Sequence, residues 1–470
     1  MSLYHEALDP LRGRCAVAAV ALPAGSCLLH TVATCAVSLP SACSACFASQ
    51  VPLSRCTGCR VARYCSRRCQ QLDWPQHRGE CPAWRSIPAA RASATVLLVT
   101  RLCFKLFQSP AVRDKEERNA VLKLCHHLDD HSATKRRVFD DMTQLVLLLL
   151  ARYRATATQQ SPSFETLESD LKTEIPQLFG RVNCNAFSIA NGVTNEVLGI
   201  GLFPKGALLN HDCDPNSIVS FKGHEMVVHV VKDVAVGQEL TVSYVELLQS
   251  TQARRRELKE SYFFDCQCAR CQAALAEEKE GEAKDDWYLD GLVCNRRNGE
   301  TCGGVVVLEK AMDRIDGTAV CRVCGTARDQ QEIDRWEKRL KGFDEALTVD
   351  SKQEAKWEVY QQKWEILTQQ LQLHPRNARV AAMAREIGNF LVETTSSDLQ
   401  RLALSFFLAE LRAVEWLLPE TKLPSRGLLH YHIGKLMFEE VKSSLCAPSR
   451  VDAAERLESV AKHLHEALST

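Results

Sequence analysis

The segment Asn210-His211-Asp212-Cys213-Asp214-Pro215-Asn216 sets an amide, an imidazole, a thiol and a turn-forming Asp-Pro-Asn within seven residues, directly after the apolar run Ala207-Leu208-Leu209. That mixture suits a buried site better than a surface loop. Around it, residues 182 to 245 break into short strand-like runs between Gly and Pro turns: Val197 to Phe203, Ser217 to Phe221, Met226 to Val231 and Glu239 to Val245. Residues 11 to 40 read the same way, as two or three strands around turn signals at Gly13 and Pro23-Ala24-Gly25. Between these regions, apolar residues recur at helical spacing from Ala92 to about Ala157, broken by the polar stretch Arg113 to Asn119. Strand-rich and helix-rich stretches that alternate so coarsely point to an α+β fold.

Further along, residues 277 to 286 are charged and poor in apolar side chains, and read as a solvated linker. From about Asp329 the pattern is helical almost throughout. The last helices are expected at about Leu402 to Leu418, Leu428 to Leu445 and Val451 to Leu468, as stacked helical hairpins with only a loose tetratricopeptide-like flavour around Tyr431, Gly434 and Ala454.

At 470 residues the chain exceeds one core, and length alone suggests about two to four domains. Lys plus Arg and Asp plus Glu balance at 58 each, so no global field draws the protein onto nucleic acid or an anionic membrane. The N-terminal Met-Ser-Leu-Tyr-His-Glu lacks the order of a secretory signal, and the most apolar run, Leu145 to Ala151, is read as part of a buried helix, too short to span a bilayer. The expectation is a monomer of the cytoplasm and nucleus, with no membrane contact and at most weak nucleic-acid contact. Arg254-Arg255-Arg256 reads as a solvated helical face rather than an import signal.

The 22 cysteines are grouped in a long chain, which favours zinc over disulfides. Cys43-x2-Cys46, Cys56-x2-Cys59, Cys65-x3-Cys69 and His77-x3-Cys81 offer eight ligands, enough for two tetrahedral ions. Arg55, Arg60, Arg63, Arg67 and Arg68 give this segment a local basic face. Cys266-x-Cys268-x2-Cys271 supplies three thiolates and wants a fourth, for which Cys213 is the candidate. Cys294, Cys302, Cys321 and Cys324, with Gly303-Gly304 and Gly325, resemble a zinc ribbon whose first pair is unusually wide.

The first cluster, with Tyr64-Cys65-Ser66 and Trp74-Pro75-x-His77, resembles a MYND zinc finger. That resemblance implies interleaved ligation: Cys43, Cys46, Cys65 and Cys69 on one ion, Cys56, Cys59, His77 and Cys81 on the other. Asn210-His211, the segment Glu239-Leu240-Thr241-Val242-Ser243-Tyr244 and the cysteine triplet that follows together resemble the SET domain of protein lysine methyltransferases. With a finger inserted after the first strands, the chain resembles the SET and MYND domain (SMYD) family, closely so over about residues 8 to 272. The boundaries then implied are 8–42 for the N-terminal part of the SET domain, 43–81 for the finger, 82–180 for a helical insert and 181–250 for the SET core. They continue as 251–276 for a cysteine-rich post-SET zinc segment, 277–328 for the linker and ribbon-like segment and 329–470 for a C-terminal helical domain.

The resemblance further implies S-adenosylmethionine and zinc as cofactors and accessible lysines of histone or non-histone proteins as substrates. It assigns Tyr244 to orienting the amine, Phe187 and Tyr262 to the lysine channel, and Arg12, Gly13, Arg14, Asn185, Asn210, His211, Tyr244 and Phe264 to the cofactor. It also makes Cys213 the fourth ligand beside Cys266, Cys268 and Cys271. The finger and the C-terminal helices are expected to take peptide partners. The chain departs from the family at Arg12-Gly13-Arg14-Cys15, where Cys15 stands in place of a second glycine and its Cβ would crowd a close ligand. That departure motivates the alternative: a zinc-dependent interaction scaffold with a weakly active or inactive SET domain.

Overall fold

The computed structural model describes residues 2–85, 93–108, 112–156, 164–192, 196–280, 284–295, 301–307, 319–347, 353–394, 396–419, 423–444 and 450–469. Its chain divides into two compact units, Met1–Tyr244 with Leu258–Asp265 and Val245–Glu257 with Cys266–Thr470.

The first unit opens on strands β1 (Tyr4–Asp9), β2 (Gly13–Ala18), β3 (Cys27–Val32) and β4 (Cys35–Ser38). The finger contributes β5 (Ser54–Arg55), β6 (Arg63–Tyr64) and helix α1 (Arg67–Trp84). Helices α2 (Ala94–Gln108), α3 (Val112–Leu122), α4 (Ala133–Thr156) and α5 (Phe164–Asn185) follow, then β7 (Ala186–Ala190), β8 (Val197–Leu202), β9 (Asn210–His211), β10 (Ser217–Lys222), β11 (Glu225–Val230) and β12 (Glu239–Val242). The strands form sheets in the orders β1-β2-β12-β9, β10-β11-β3 and β4-β8-β7, with β5-β6 as a separate hairpin.

Each sheet joins strands from both sides of the finger and helices, so the intervening hundred-odd residues are an insertion into a single β-rich body. Alternation fixes which side chains point inward: in β11, Met226, Val228 and Val230 are buried while their neighbours are not. These side chains share a core with Leu28, Leu29, Leu240 and Val242. Gly199 in β8 is needed for close approach, because a Cβ there would lie 2.4 Å from the Val37 carbonyl oxygen.

The helices extend further than the sequence pattern suggests. The polar stretch Arg113 to Asn119, read above as a break, lies within α3, and residues 123–132 separate α3 from α4. Helix α3 lacks an apolar stripe, and the Lys105–Glu117 ion pair at 2.7 Å is among the contacts that hold it. The run Leu145 to Ala151 is not wholly buried: Val146, Leu149 and Leu150 face the core while Leu145 and Leu148 are exposed. Among the described residues, no helix is long and apolar enough to cross a membrane.

A buried polar network ties the finger to its surroundings. Arg101 of α2 donates from Nε to Glu80 Oε1 at 2.7 Å and from Nη2 to Glu80 Oε2 at 2.8 Å, while its Nη1 donates to the Ala36 carbonyl of β4 at 2.6 Å. The guanidinium also lies 5.2 Å from the Trp84 ring centroid. Glu80 is fully buried and Arg101 nearly so, and a charge left there without its partner is costly.

In the second unit, helices α6 (Thr251–Tyr262), α7 (Ala269–Glu280) and α8 (Lys284–Asp290) precede a sheet of β13 (Leu292–Asn295), β14 (Thr301–Val307), β15 (Ala319–Cys321) and β16 (Ala327–Arg328). Only the first half of α6 belongs to this unit. Helices α9 (Gln330–Leu347), α10 (Gln353–Glu365), α11 (Ala378–Val392), α12 (Ser397–Leu417), α13 (Pro424–Ser444) and α14 (Arg450–Ser469) complete it. Leu292, Val306 and Ala319 of the sheet share one core with Ile387, Phe407 and Ile433 of the helices, so the ribbon-like segment packs as part of the helical unit. The expected linker is helical up to Glu280 and again from Lys284, and its residues 281–283 lie outside the described residues.

Arg254 is a correction, since it is completely buried rather than on a solvated face. Its guanidinium donates to the Gln249 carbonyl and, at 3.0 Å, to Thr251 Oγ1, and it lies 4.0 Å from Cys271 Sγ. Buried charge with this many acceptors is a structural fastener.

Removing Arg101 would strand the Glu80 carboxylate. We expect Arg101→Ala to destabilise the first unit by about 3–5 kcal/mol in denaturant unfolding.

Candidate active site and metal centres

Strand β12 places the site. It runs antiparallel to β2, with Leu240 opposite Ala16, and parallel to β9, with Thr241 opposite Asn210 and Val242 opposite His211. The loop beyond β9 is pinned to the same strand by Asn216, whose amide accepts from Thr241 N at 2.9 Å and donates to the Glu239 carbonyl at 2.8 Å. A two-residue strand has little stability alone, so these side-chain bonds hold what the ladder cannot.

Tyr244 follows two residues after β12. Its backbone N–H donates to His211 Nδ1 at 3.0 Å and its hydroxyl donates to the Leu209 carbonyl at 2.9 Å. Because an N–H can only donate, His211 Nδ1 must be the unprotonated nitrogen. The ring is then neutral with its proton on Nε2, which faces Cys213 Sγ at 3.2 Å. Tyr262 packs against Tyr244 at 4.8 Å between centroids, His211 at 5.5 Å and Phe264 edge-on at 6.5 Å. Burial, reinforced by Tyr262, pushes the Tyr244 phenol above its ordinary range.

The remaining expected residues fall into three groups. Asn210 Nδ2 donates to the Arg14 carbonyl at 3.2 Å and to Glu239 Oε1 at 2.9 Å, which brings Asn210, Arg14 and Glu239 together. Arg12 pairs with Glu239 and donates to the His211 carbonyl at 2.6 Å, so its guanidinium braces the site from the side of the protein. Gly13 stands at φ +77 after a turn in which Asp9 accepts from Leu11 N and Arg12 N, and the Cys15 thiol is buried, 3.7 Å from the Ala7 carbonyl. Phe187 meets Phe203 edge-on at 5.9 Å and borders the same core as Tyr244. Asn185 is the outlier: its Nδ2 caps carbonyls of Arg181 and Cys125, both at 2.8 Å, at the end of α5.

Glu239 and Asn216 were not singled out from the sequence. Glu239 opens the run ending in Tyr244, and Asn216 closes the Asp-Pro-Asn turn. Their roles depend on which strand lies beside which, and local pattern does not reveal that.

Within single units the cysteine clusters assemble as expected. Cys43, Cys46, Cys65 and Cys69 form one group, Cys56, Cys59, His77 and Cys81 another, and Cys294, Cys302, Cys321 and Cys324 a third, each with ligand atoms within 4.8 Å of one another. The contacts Cys46–Cys65 at 3.6 Å, Cys56–Cys81 at 3.8 Å, Cys294–Cys324 at 3.5 Å and Cys302–Cys321 at 3.6 Å approach the edge of a tetrahedron. Thiolates on zinc at about 2.3 Å would stand roughly 3.8 Å apart, so these donor sets fit that ion. Cys69, His77 and Cys81 all ride on α1, which Ser66 caps by accepting from Cys69 N at 3.2 Å. His77 turns Nε2 to the cluster, and its Nδ1 lies 3.8 Å from Glu80, the partner of Arg101. That carboxylate is suited to orient the ligand ring. Of the finger's arginines, Arg55, Arg60, Arg67 and Arg68 are exposed. In the third group Gly304 leaves room for metal-binding sulfur, since a Cβ would lie 2.7 Å from Cys321 Sγ.

Residues 43–81 match the family model of the MYND finger. The chain is 34% identical over 245 residues to the Histone-lysine N-methyltransferase SMYD3 of Homo sapiens, covering 52% of this chain and 54% of that protein. It is 33% identical over 247 residues to the N-lysine methyltransferase SMYD2 of Gallus gallus, covering 52% and 53%. It is also 29% identical over 406 residues to the Histone-lysine N-methyltransferase ASHR1 of Arabidopsis thaliana, covering 85% and 78%. A solved structure of the SET domain of LSMT bound to lysine and AdoHcy aligns at 11% identity and a TM-score of 0.34, too low to bear on the fold. Finger and strand-borne site together define an α+β protein of the MYND zinc-finger class. Over the matched stretch the chain is similar to the SET and MYND domain (SMYD) lysine methyltransferases, and the match spans only about half the length of SMYD2 and SMYD3.

Breaking one ribbon ligand isolates that centre from the finger. Cys302→Ser is expected to lower zinc, measured by atomic emission, by about one ion per chain without disturbing the finger's ions.

Proposed function

We propose that the protein is an S-adenosylmethionine-dependent protein-lysine N-methyltransferase acting on lysines of histone or non-histone proteins. The observation that carries this reading is the fixed Tyr244, held at its backbone by His211 and at its hydroxyl by Leu209, with Tyr262 and Phe264 around its ring. The relatives' names, as lysine methyltransferases, point the same way.

When bound, S-adenosylmethionine supplies a methyl group on a sulfonium, and the carbon–sulfur bond breaks as the bond to the lysine nitrogen forms. The protein's own task is to position, to dry and to receive a neutral amine. Asn210, His211, Arg14 and Phe264 stand on the side assigned to the cofactor, with Glu239 and Arg12 bracing them. In this reading Tyr244, packed on Tyr262, and Phe187 take the lysine. The Tyr244 hydroxyl donates its hydrogen bond to the Leu209 carbonyl, so its oxygen lone pairs are left to orient the amine. Burial that raises the phenol also disfavours a charged ammonium in the same place, which favours the neutral nucleophile.

Zinc in the finger and in the ribbon would hold those segments in shape. We also propose, on the cysteine pattern of the sequence, that Cys213, Cys266, Cys268 and Cys271 ligate a further zinc. Protein substrates, peptide partners of the finger and of the C-terminal helices, a monomeric state and residence in cytoplasm and nucleus complete the proposal. The balanced net charge supports weak or absent nucleic-acid binding.

Incubation with labelled cofactor and fractionated cell proteins tests the reading. Wild type should label protein, and Tyr244→Phe should cut the rate by roughly 10- to 100-fold at unchanged zinc content; an undiminished rate would remove Tyr244 from the chemistry. The rate should climb with pH as the substrate ammonium, with its pKa of about 10.4, loses its proton. A raised phenol pKa keeps Tyr244 neutral throughout, so kcat/KM should show no falling limb below a pH of about 10.

A further inference from the structure

Between Tyr262, the last residue of α6, and Phe264, both aromatics of the proposed site, lies Phe263, and its backbone is left-handed at φ +64. A residue with a Cβ rarely adopts that conformation, and it persists only where surroundings impose it. The left-handed turn carries the Phe263 ring away from its neighbours' partners. Tyr262 packs on Tyr244 and Phe264 lies 6.1 Å from His211, whereas Phe263 stacks on His127 at 5.1 Å and 24° and meets His131 edge-on at 4.6 Å. His131 in turn stands edge-on to Phe139 at 5.0 Å, and Phe139 stacks on Phe179 in the helical core.

The receiving loop, residues 123–132 between α3 and α4, is itself well held. His127 is also left-handed, at φ +46, and its Nδ1 lies 2.9 Å from Asp130 Oδ2. Leu128 N donates to His126 Nδ1 at 3.1 Å, Ser132 Oγ accepts from Lys135 N at 3.2 Å to start α4, and His131 is buried. Two strained residues, Phe263 and His127, thus stack on each other at the junction of the helical insert and the site.

We propose that Phe263 is a positioning residue: its ring, clamped by His127 and His131 of the insert, sets Tyr262 and Phe264 against Tyr244 and His211. The anchor stands on the geometry, and its consequence for cofactor affinity rests on the methyltransferase reading. Through this clamp the inserted helices act on the aromatic wall of the site, which gives the insert a task beyond packing.

The test pairs hydrogen–deuterium exchange of the peptide covering residues 258–265, without cofactor, with calorimetric titration of S-adenosylhomocysteine. Phe263→Gly tolerates the left-handed backbone but has no ring, so it separates anchoring from strain. It should speed exchange in that peptide and weaken S-adenosylhomocysteine about tenfold at unchanged zinc content, and His131→Ala should follow it. His131→Phe keeps a ring edge and should restore both readouts to within about twofold of wild type. Wild-type exchange and affinity in Phe263→Gly would overturn the proposal, as would an equal loss in His131→Phe. If wild type itself fails to bind S-adenosylhomocysteine, the methyltransferase reading falls while the exchange data still decide the anchor.

Discussion

The site depends on a single pairing, that of the two-residue strand β9 with β12. It sets Asn210 beside Thr241 and His211 beside Val242, and it leaves the Tyr244 N–H within 3.0 Å of His211 Nδ1. So short a ladder cannot sustain itself, and the structure compensates with side chains: Asn216 clasps β12 at both backbone groups, Glu239 receives Asn210, and Arg12 closes over Glu239 and the His211 carbonyl. Each contact lies at the junction of segments far apart in sequence. A site built this way forms only when the whole β-body forms, which links chemistry to folding.

The finger obeys a similar logic with metal in place of a ladder. It is too small to bury a core, so its shape rests on donor sets whose spacing fits zinc. Glu80 and Arg101 then carry that shape outward, from the ligand His77 to the carbonyl of Ala36 in β4. The inserted helices reach the site by another route, through Phe139, His131 and Phe263. Insertions that might have been passive ornaments are thereby coupled to the strands that bear the site.

Much of this was legible in the amino-acid sequence, for physical reasons. Zinc ligands must be Cys or His at short spacings, and a tight loop beside a buried ligand needs Asn, Asp and Pro, so the clusters and Asn210 to Asn216 stand out. Short strand-like runs between Gly and Pro turns betrayed β8, β10, β11 and β12. What stayed hidden depends on partners distant in the chain: Glu239 as acceptor for Arg12 and Asn210, Arg254 as a buried cation, Asn185 as a cap on α5, and α3, whose polar surface carries no stripe to mark it. The strand β1 was also missed, since its half-exposed residues show little contrast between faces. Phe263 is the sharpest case, because three aromatics in a row give no hint that the middle one faces the other way.

Asn210 to Asn216 and Glu239 to Tyr244 are proposed together as the cofactor's seat. Ultraviolet cross-linking of labelled S-adenosylmethionine to the native protein, followed by peptide mapping, tests it directly. Adducts concentrated in peptides that contain residues 210–216 and 239–245, and competed away by S-adenosylhomocysteine, are the expected result. Adducts confined to the finger or the C-terminal helices, or no competed adduct at all, would contradict it.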